Sequence, residues 1–369
     1  MTTATTARMP ISSMVKTDEL ISKLERRDRD REDFMILDPK DVNFRYEVGD
    51  KDEGERDRFL MTFSGRDIEL SDSAISSACR MLKTTPQYFR ENFSSWQKKF
   101  CNDFSSAMRH NERGCYARTD CLRDGINRKV ESFVSGNWQL HVGESTIVRG
   151  VAERLNAQYG DSIVGVQVVT EGGRNNVYRF VFGNTIMGND NHVKMYPMIS
   201  LIHSPYGFST TELSLGIYRV ICENGALRRD FSAGTAKWNQ RSNPDGFFSK
   251  MNGAIDAAGD FSNECKRHFE RMVETRINHH PLIVLKSLFN GKGITNAHLE
   301  SATMFLTERD IRTEYDMLNL LTDSAKTIHP LQKRQEAESN ALRIAMHGDG
   351  FGGFVTESRL AEMELLESR

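Results

Sequence analysis

VKMYPMISLIHSPYGFSTTELSLGIYRVICENGALRR, residues 193–229, decides the fold class. It holds two runs rich in β-branched and aromatic residues, Val193–His203 and Thr211–Cys222, with a short connection between them. Successive strands joined by short turns pair antiparallel. In the second run Leu213, Leu215, Ile217 and Arg219 fall on one face, and Ser214, Gly216, Tyr218 and Val220 on the other. Asn224-Gly225 is expected to be a turn, with the glycine at positive φ.

Upstream, Ile163–Thr170 and Val177–Phe182 carry the same signal, separated by turn residues at 172–176 and 188–191. Cys115–Arg118, Lys129–Val134 and Phe59–Phe63 are shorter candidates, and a helix at about 145–157 buries Ile147, Val148, Val151 and Leu155. Residues 72–110 read as helices. Ser71 or Asp72 caps the first, Thr85-Pro86 opens the second, and Tyr88, Phe89, Phe93, Trp96, Phe100 and Phe104 form an aromatic stripe.

Beyond Gly225 the apolar period changes from two to 3.6. Helices are expected over 244–277, 281–289 and 331–346, and Thr307 with Asp310 resembles a capping box before Ile311, Tyr315, Leu318 and Leu321. The expected class is α+β, with a central antiparallel sheet over about residues 114–222 flanked by N-terminal and C-terminal helices.

The expected organisation is one α+β domain over 34–345. Its mostly helical part is 34–110, its sheet 111–225 and its second helical part 226–345. Residues 1–33 read as a flexible arm, because ERRDRDRED at 25–33 is charged at every position and has no face to bury. Residues 346–369 read as a glycine-rich hinge and a short acidic tail.

The chain has 369 residues, 49 Lys+Arg against 51 Asp+Glu, and a formal charge of −2. This balance excludes a generally basic nucleic-acid coat and leaves room for a local basic patch. No run of 18 apolar residues occurs, so no membrane partner is expected, and the N-terminus lacks the apolar core of a secretory signal. The six scattered cysteines suit reduced thiols, and the cytoplasm is the expected compartment.

No catalytic set is recognisable. Gly291-Lys292 lacks the upstream glycine of a phosphate loop and has Gly293 where Ser or Thr should stand, and no G-x-S-x-G occurs. Cys265 and His268 stand three apart with His279-His280 following, but no paired C-x-x-C completes a zinc set. No metal or cofactor is expected. His203, Ser204, Tyr206 and Asn224 are the polar residues that an enzymatic cleft would use.

Two stretches carry a binding signal. RHNERGCYARTDCLRDGINRK at 109–129 has six Lys/Arg against three acids, and contributes Arg118 and Arg123. LRRDFSAGTAKWNQR at 227–241 has four Lys/Arg against one acid, with Phe231 and Trp238 interleaved. Cations neutralise phosphates and aromatics stack on bases, so Arg219, Arg228, Arg229, Lys237, Trp238 and Arg241 are expected along one groove for single-stranded nucleic acid. The competing reading is a solvated loop whose aromatics anchor it to the core.

Four segments in order resemble a phage- and plasmid-borne family known as a domain of unknown function, family 932. They are SACRMLKTTPQYFREN at 77–92, CLRDGINRKVESFVSGNWQLHVGESTIVRGV at 121–151, ISLIHSPYGFSTTELSLGIYRVICENGALRR at 199–229 and EYDMLNLLTDSAKT at 314–327. The resemblance implies a mobile-element origin, the cytoplasm of a bacterial host and an α+β fold, and it implies no settled activity. The family's histidine pair after Asn-Gly is replaced here by SAGTAKWNQ at 232–240, so no histidine role carries over.

The expected function is therefore non-enzymatic nucleic-acid binding, with single-stranded DNA favoured and binding or annealing in phage DNA metabolism as its form. The alternative is a phage interaction or assembly factor that modulates a host protein or builds a homo-oligomer without nucleic acid.

Overall fold

The computed structural model describes residues 14–31, 33–36, 38, 41–49, 58–81, 83, 85, 103, 115–119, 129–135, 138, 142–160, 163–171, 175–183, 195–219, 224–228, 235–290, 293–328, 331–346, 350–351, 353 and 355. The aromatic stripe at 88–104 and the helix opened by Pro86 lie outside them.

The protein is α+β, with antiparallel sheets flanked by helices. The strands divide between two sheets. The first comprises β1 (Met14–Val15), β8 (Ile163–Glu171), β9 (Asn175–Phe182), β10 (Met195–His203), β11 (Thr211–Arg219) and β12 (Asn224–Arg228), ordered 1-8-9-10-11-12, with β13 (Thr235–Trp238) also paired to β11. The second comprises β2 (Asp33–Ile36), β3 (Val42–Glu47), β4 (Arg58–Phe63), β5 (Arg66–Leu70), β6 (Cys115–Thr119) and β7 (Lys129–Ser135), ordered 2-6-7-5-4-3. Only β5 and β7 pair in parallel among these strands.

Residues 34–110 were expected to be mostly helical. In the described part they hold four strands of the second sheet and one helix, α2 (Asp72–Met81). These strands span four to six residues, too short for a clear alternation. Ser71 Oγ accepts from Ala74 N at 3.1 Å and so caps α2 as its sequence predicts. Ser77 Oγ then accepts from Phe133 N at 2.8 Å, which ties the helix to β7.

The first sheet carries the main core. Helix α3 (Glu144–Tyr159) packs against β8 and β9, and its Ile147, Val148, Val151 and Leu155 join Tyr178, Phe180, Leu213 and Leu215 in one core. Leu213, Leu215 and Ile217 do share this core face, whereas Tyr218 joins Val181 and Met198 in a separate cluster. The C-terminal helices are α4 (Asp245–Asp256), α5 (Ala258–Glu274), α6 (Pro281–Asn290), α7 (Asn296–Leu306), α8 (Glu314–Ser324) and α9 (Leu331–Ala345). The capping box belongs to Thr313 and Asp316 at the start of α8. Thr307 instead stands at the C-terminal end of α7, so the same sequence spacing occurred twice within a few residues and only one copy faces a helix start.

The described part of the arm, from Met14 on, is part of the fold. Met14 and Val15 pair with Gln167 and Val166, and α1 (Thr17–Asp30) buries Leu20 and Leu24 in the main core. The fully charged run earns its place through partners distant in sequence. Arg27 pairs with Glu144, Glu25 with Arg149, and Asp33 with Arg118 at 3.3 Å. At the other end Phe351, from the expected hinge, is fully buried, and its N–H donates to Glu314 at 3.0 Å. Gly350 has φ +55, and a Cβ there would meet the Glu314 carboxylate at 2.2 Å.

The connection between β10 and β11 joins the two sheets. Arg118 on β6 donates to the Pro205 carbonyl, and the Arg80 guanidinium lies 5.0 Å from the Phe208 ring centre. Gly207, at φ +76, leaves room for Trp138, whose ring would stand 2.7 Å from an added Cβ.

Candidate functional site

The predicted basic groove separates into buried and exposed members. Trp238 is 3% exposed, stacks near Phe247 at 6.0 Å between ring centres, and donates Nε1–H to the Ser242 carbonyl at 3.0 Å. It anchors the segment and is not available to stack on a base. Arg118 is 5% exposed and held by Asp33 and Pro205, so it too is structural. Burial lowers its pKa, and the Asp33 carboxylate opposes that shift.

Lys237 and Arg241 are exposed. Lys237 lies 3.2 Å from Glu212, its register partner on β11. The buried Trp238 between them fixes the turn at 239–242, where Ser242 Oγ also donates to the Asn239 carbonyl at 2.8 Å. Lys250 on α4 adds a third exposed cation nearby in sequence.

Asn224 and Gly225 begin β12 instead of forming a turn, with Asn224 paired to Arg219 and Gly225 to Tyr218. The pairing continues because four residues, 220–223, suffice to connect the strands. Arg228 pairs with Leu215, so Arg219 and Arg228 occupy register positions of the core face, while Lys237 takes the alternate face with Glu212. These cations do not follow one face of the sheet. Arg123 and Arg229 lie outside the described residues.

A second polar assembly was missed in the sequence. It sits at the seam where α1, α3, β6 and the end of β10 meet. Glu144, 1% exposed, accepts from Asn176 Nδ2 at 2.7 Å and from the Tyr178 hydroxyl, and pairs with Arg27. Asp28 accepts from Ser145 N at 2.8 Å, within the first turn of α3, which suits a carboxylate at a helix N-terminus. Arg31 lies 5.5 Å from the Tyr206 ring centre.

His203 stands beside this seam, 3% exposed, with Nδ1 2.9 Å from Thr211 Oγ1 and 3.0 Å from Gln240 Nε2. Burial holds its pKa well below 6.5, and Arg118, Arg31 and Arg27 push it further down. His203 is thus a neutral, fixed ring. Ser204 Oγ accepts from Phe208 N at 2.8 Å, and Tyr206 is buried, so these two complete the turn between the sheets.

A third polar set crosses the first sheet as a row. Gln167 pairs with Arg179, Arg179 with Ser200, Ser200 with Ser214, and Ser214 with Thr235. Arg179 is fully enclosed, and its guanidinium donates to Gln167 at 3.3 Å and to Glu338 of α9 at 3.2 Å. Arg334 donates to the other Glu338 oxygen at 2.9 Å.

Among the described residues no group of three or more His, Cys, Asp or Glu side chains is placed to hold a metal, and no helix is long and apolar enough to cross a membrane. Cys265 is buried beside Met346, and His268 faces Glu264 at 4.0 Å. The fold and these sites define an α+β protein with one antiparallel and one mostly antiparallel sheet and a polar seam between them. Comparison with family models, curated proteins and solved structures finds no match.

Proposed function

We propose that this chain is a non-enzymatic nucleic-acid-binding protein of a phage or plasmid, with single-stranded DNA its favoured ligand, acting in the bacterial cytoplasm. The observation that carries this reading is the exposed pair Lys237 and Arg241, held apart from the core by the buried Trp238 between them. Lys250, a further exposed cation, follows them in the sequence, and Arg228 and Arg229 precede them. Such a surface binds phosphates as fixed cations and needs no reacting group. With Trp238 and Arg118 buried, the footprint is small, about three to five phosphates, so affinity falls gently with salt.

Fluorescence anisotropy of labelled single- and double-stranded oligonucleotides, at low and at physiological salt, tests the reading. Salt-sensitive binding that prefers single strands supports it. No binding at low salt removes it.

The alternative, an assembly or host-interaction factor, draws on a different surface. Met304 on α7 is 72% exposed and Phe289 on α6 is 37% exposed, on neighbouring helices. Light scattering after gel filtration checks this reading, and a strictly monomeric chain that recovers no host protein counts against it.

A further inference from the structure

The seam between the sheets holds more buried guanidinium donors than acceptors placed to receive them. The Arg31 side chain is 5% exposed, and its nearest carboxylate, Asp28, stands 3.6 Å from Nη1. Neither Nε nor Nη2 of Arg31 meets an acceptor. A guanidinium presents five N–H donors in a planar fork, and withdrawing them from water without acceptors is costly. Arg27 Nε, one helical turn earlier, is likewise buried without an acceptor.

Most of the neighbouring acceptors are engaged: Glu144 serves Asn176, Tyr178 and Arg27, Asp33 serves Arg118, and Asp28 Oδ2 accepts from Ser145 N. Asp28 Oδ1, 3.6 Å from Arg31 Nη1, is left without a hydrogen bond, and that single oxygen does not satisfy Nε and Nη2 of Arg31 and Nε of Arg27 together. The ring of Tyr206 under Arg31 sets the plane of its fork. The first turn of α3, reached by Arg27 and Asp28, adds the partial positive charge of a helix N-terminus. A ligand suited to these donors is small, rich in acceptors and negative.

We propose that Arg31 and Arg27 take a tetrahedral oxyanion of the phosphate class at this seam. The site is independent of the nucleic-acid reading, because Arg31 is buried between the sheets whereas Lys237 and Arg241 are exposed on the first sheet and the turn after β13. The phosphate chemistry could come from free inorganic phosphate or from a nucleoside monophosphate.

Thermal unfolding of the full chain, in sodium phosphate against sodium chloride at matched ionic strength, is the test. A second arm compares adenosine 5′-monophosphate with adenosine. A saturable rise of the midpoint with phosphate supports the site with free phosphate as its ligand. A rise with the monophosphate alone supports it with the ester as its ligand. In either case the rise should vanish in Arg31→Gln and persist in Arg26→Gln, an exposed position on the same helix. If Arg31→Gln does not fold, Arg31→Lys keeps the charge but loses the fork, and phosphorus-31 line broadening should report affinity weakened about tenfold. Equal midpoints in phosphate and chloride, together with equal midpoints in the monophosphate and adenosine, would overturn the proposal. So would a rise unaltered by the Arg31 substitutions.

Discussion

Glu338 fixes the polar row of the first sheet, because both Arg179 and Arg334 end on its carboxylate. The Arg179 side chain is 1% exposed and that of Glu338 0% exposed, so removing one partner strands a charge in the interior. Glu338→Ala should cost about 3–5 kcal/mol, read from urea unfolding, whereas Arg179→Met combined with Glu338→Leu should recover most of that loss. A single substitution as mild as the double would show that the pair is not the anchor. His203 makes a pH prediction at the same scale. Its folded pKa lies below the unfolded value of 6.5, so the unfolded chain binds the proton better. Stability from the neutral ring is complete above about pH 6.5 and is lost as pH falls toward the folded value. His203→Gln should flatten the stability profile below pH 6.5; an unchanged acid limb in that variant would contradict the assignment. Cys115, pushed up to about 12 by burial, should resist thiol reagents until the chain unfolds, as thiol labelling in native buffer and in denaturant can show.

The elements that were legible in the sequence are those with long, regular patterns. Strands β8 to β11 and helix α3 each run eight residues or more, and both faces of the strands are apolar enough to mark them. Of the shorter strands only β4 was marked, by the run Phe59–Phe63; β2, β3 and β5 have side chains that alternate too few times to be told from loop. Helix α1 was hidden for a different reason. A charged half reads as a face for solvent, yet its charges meet α3, which lies more than one hundred residues away and carries no local signal. Only Leu20 and Leu24, four apart, announced the buried face. Leu24→Ala should therefore destabilise the whole protein by about 2–5 kcal/mol, the range for a buried leucine, in chemical unfolding. A flexible arm would show no change.

At the scale of the molecule, the candidate interface was only partly legible. A run of basic and aromatic residues marks a surface stretch, but spacing does not say which members fold inward. Trp238 anchors, Arg118 bridges the sheets, and Lys237 and Arg241 face solvent. The seam around Arg31 had no motif at all, because its residues come from α1, β6, α3 and the β10–β11 connection. The measurement that tests the central claim most directly is the salt dependence of single-strand binding in the wild type and in Lys237→Gln/Arg241→Gln. Both positions are exposed, and glutamine sets no like charge against Glu212, so the fold should survive the change. The account predicts that the double variant binds at least about tenfold more weakly, with the slope of log K against log salt reduced by about one to two. Equal affinity and equal slope in the two proteins would contradict it.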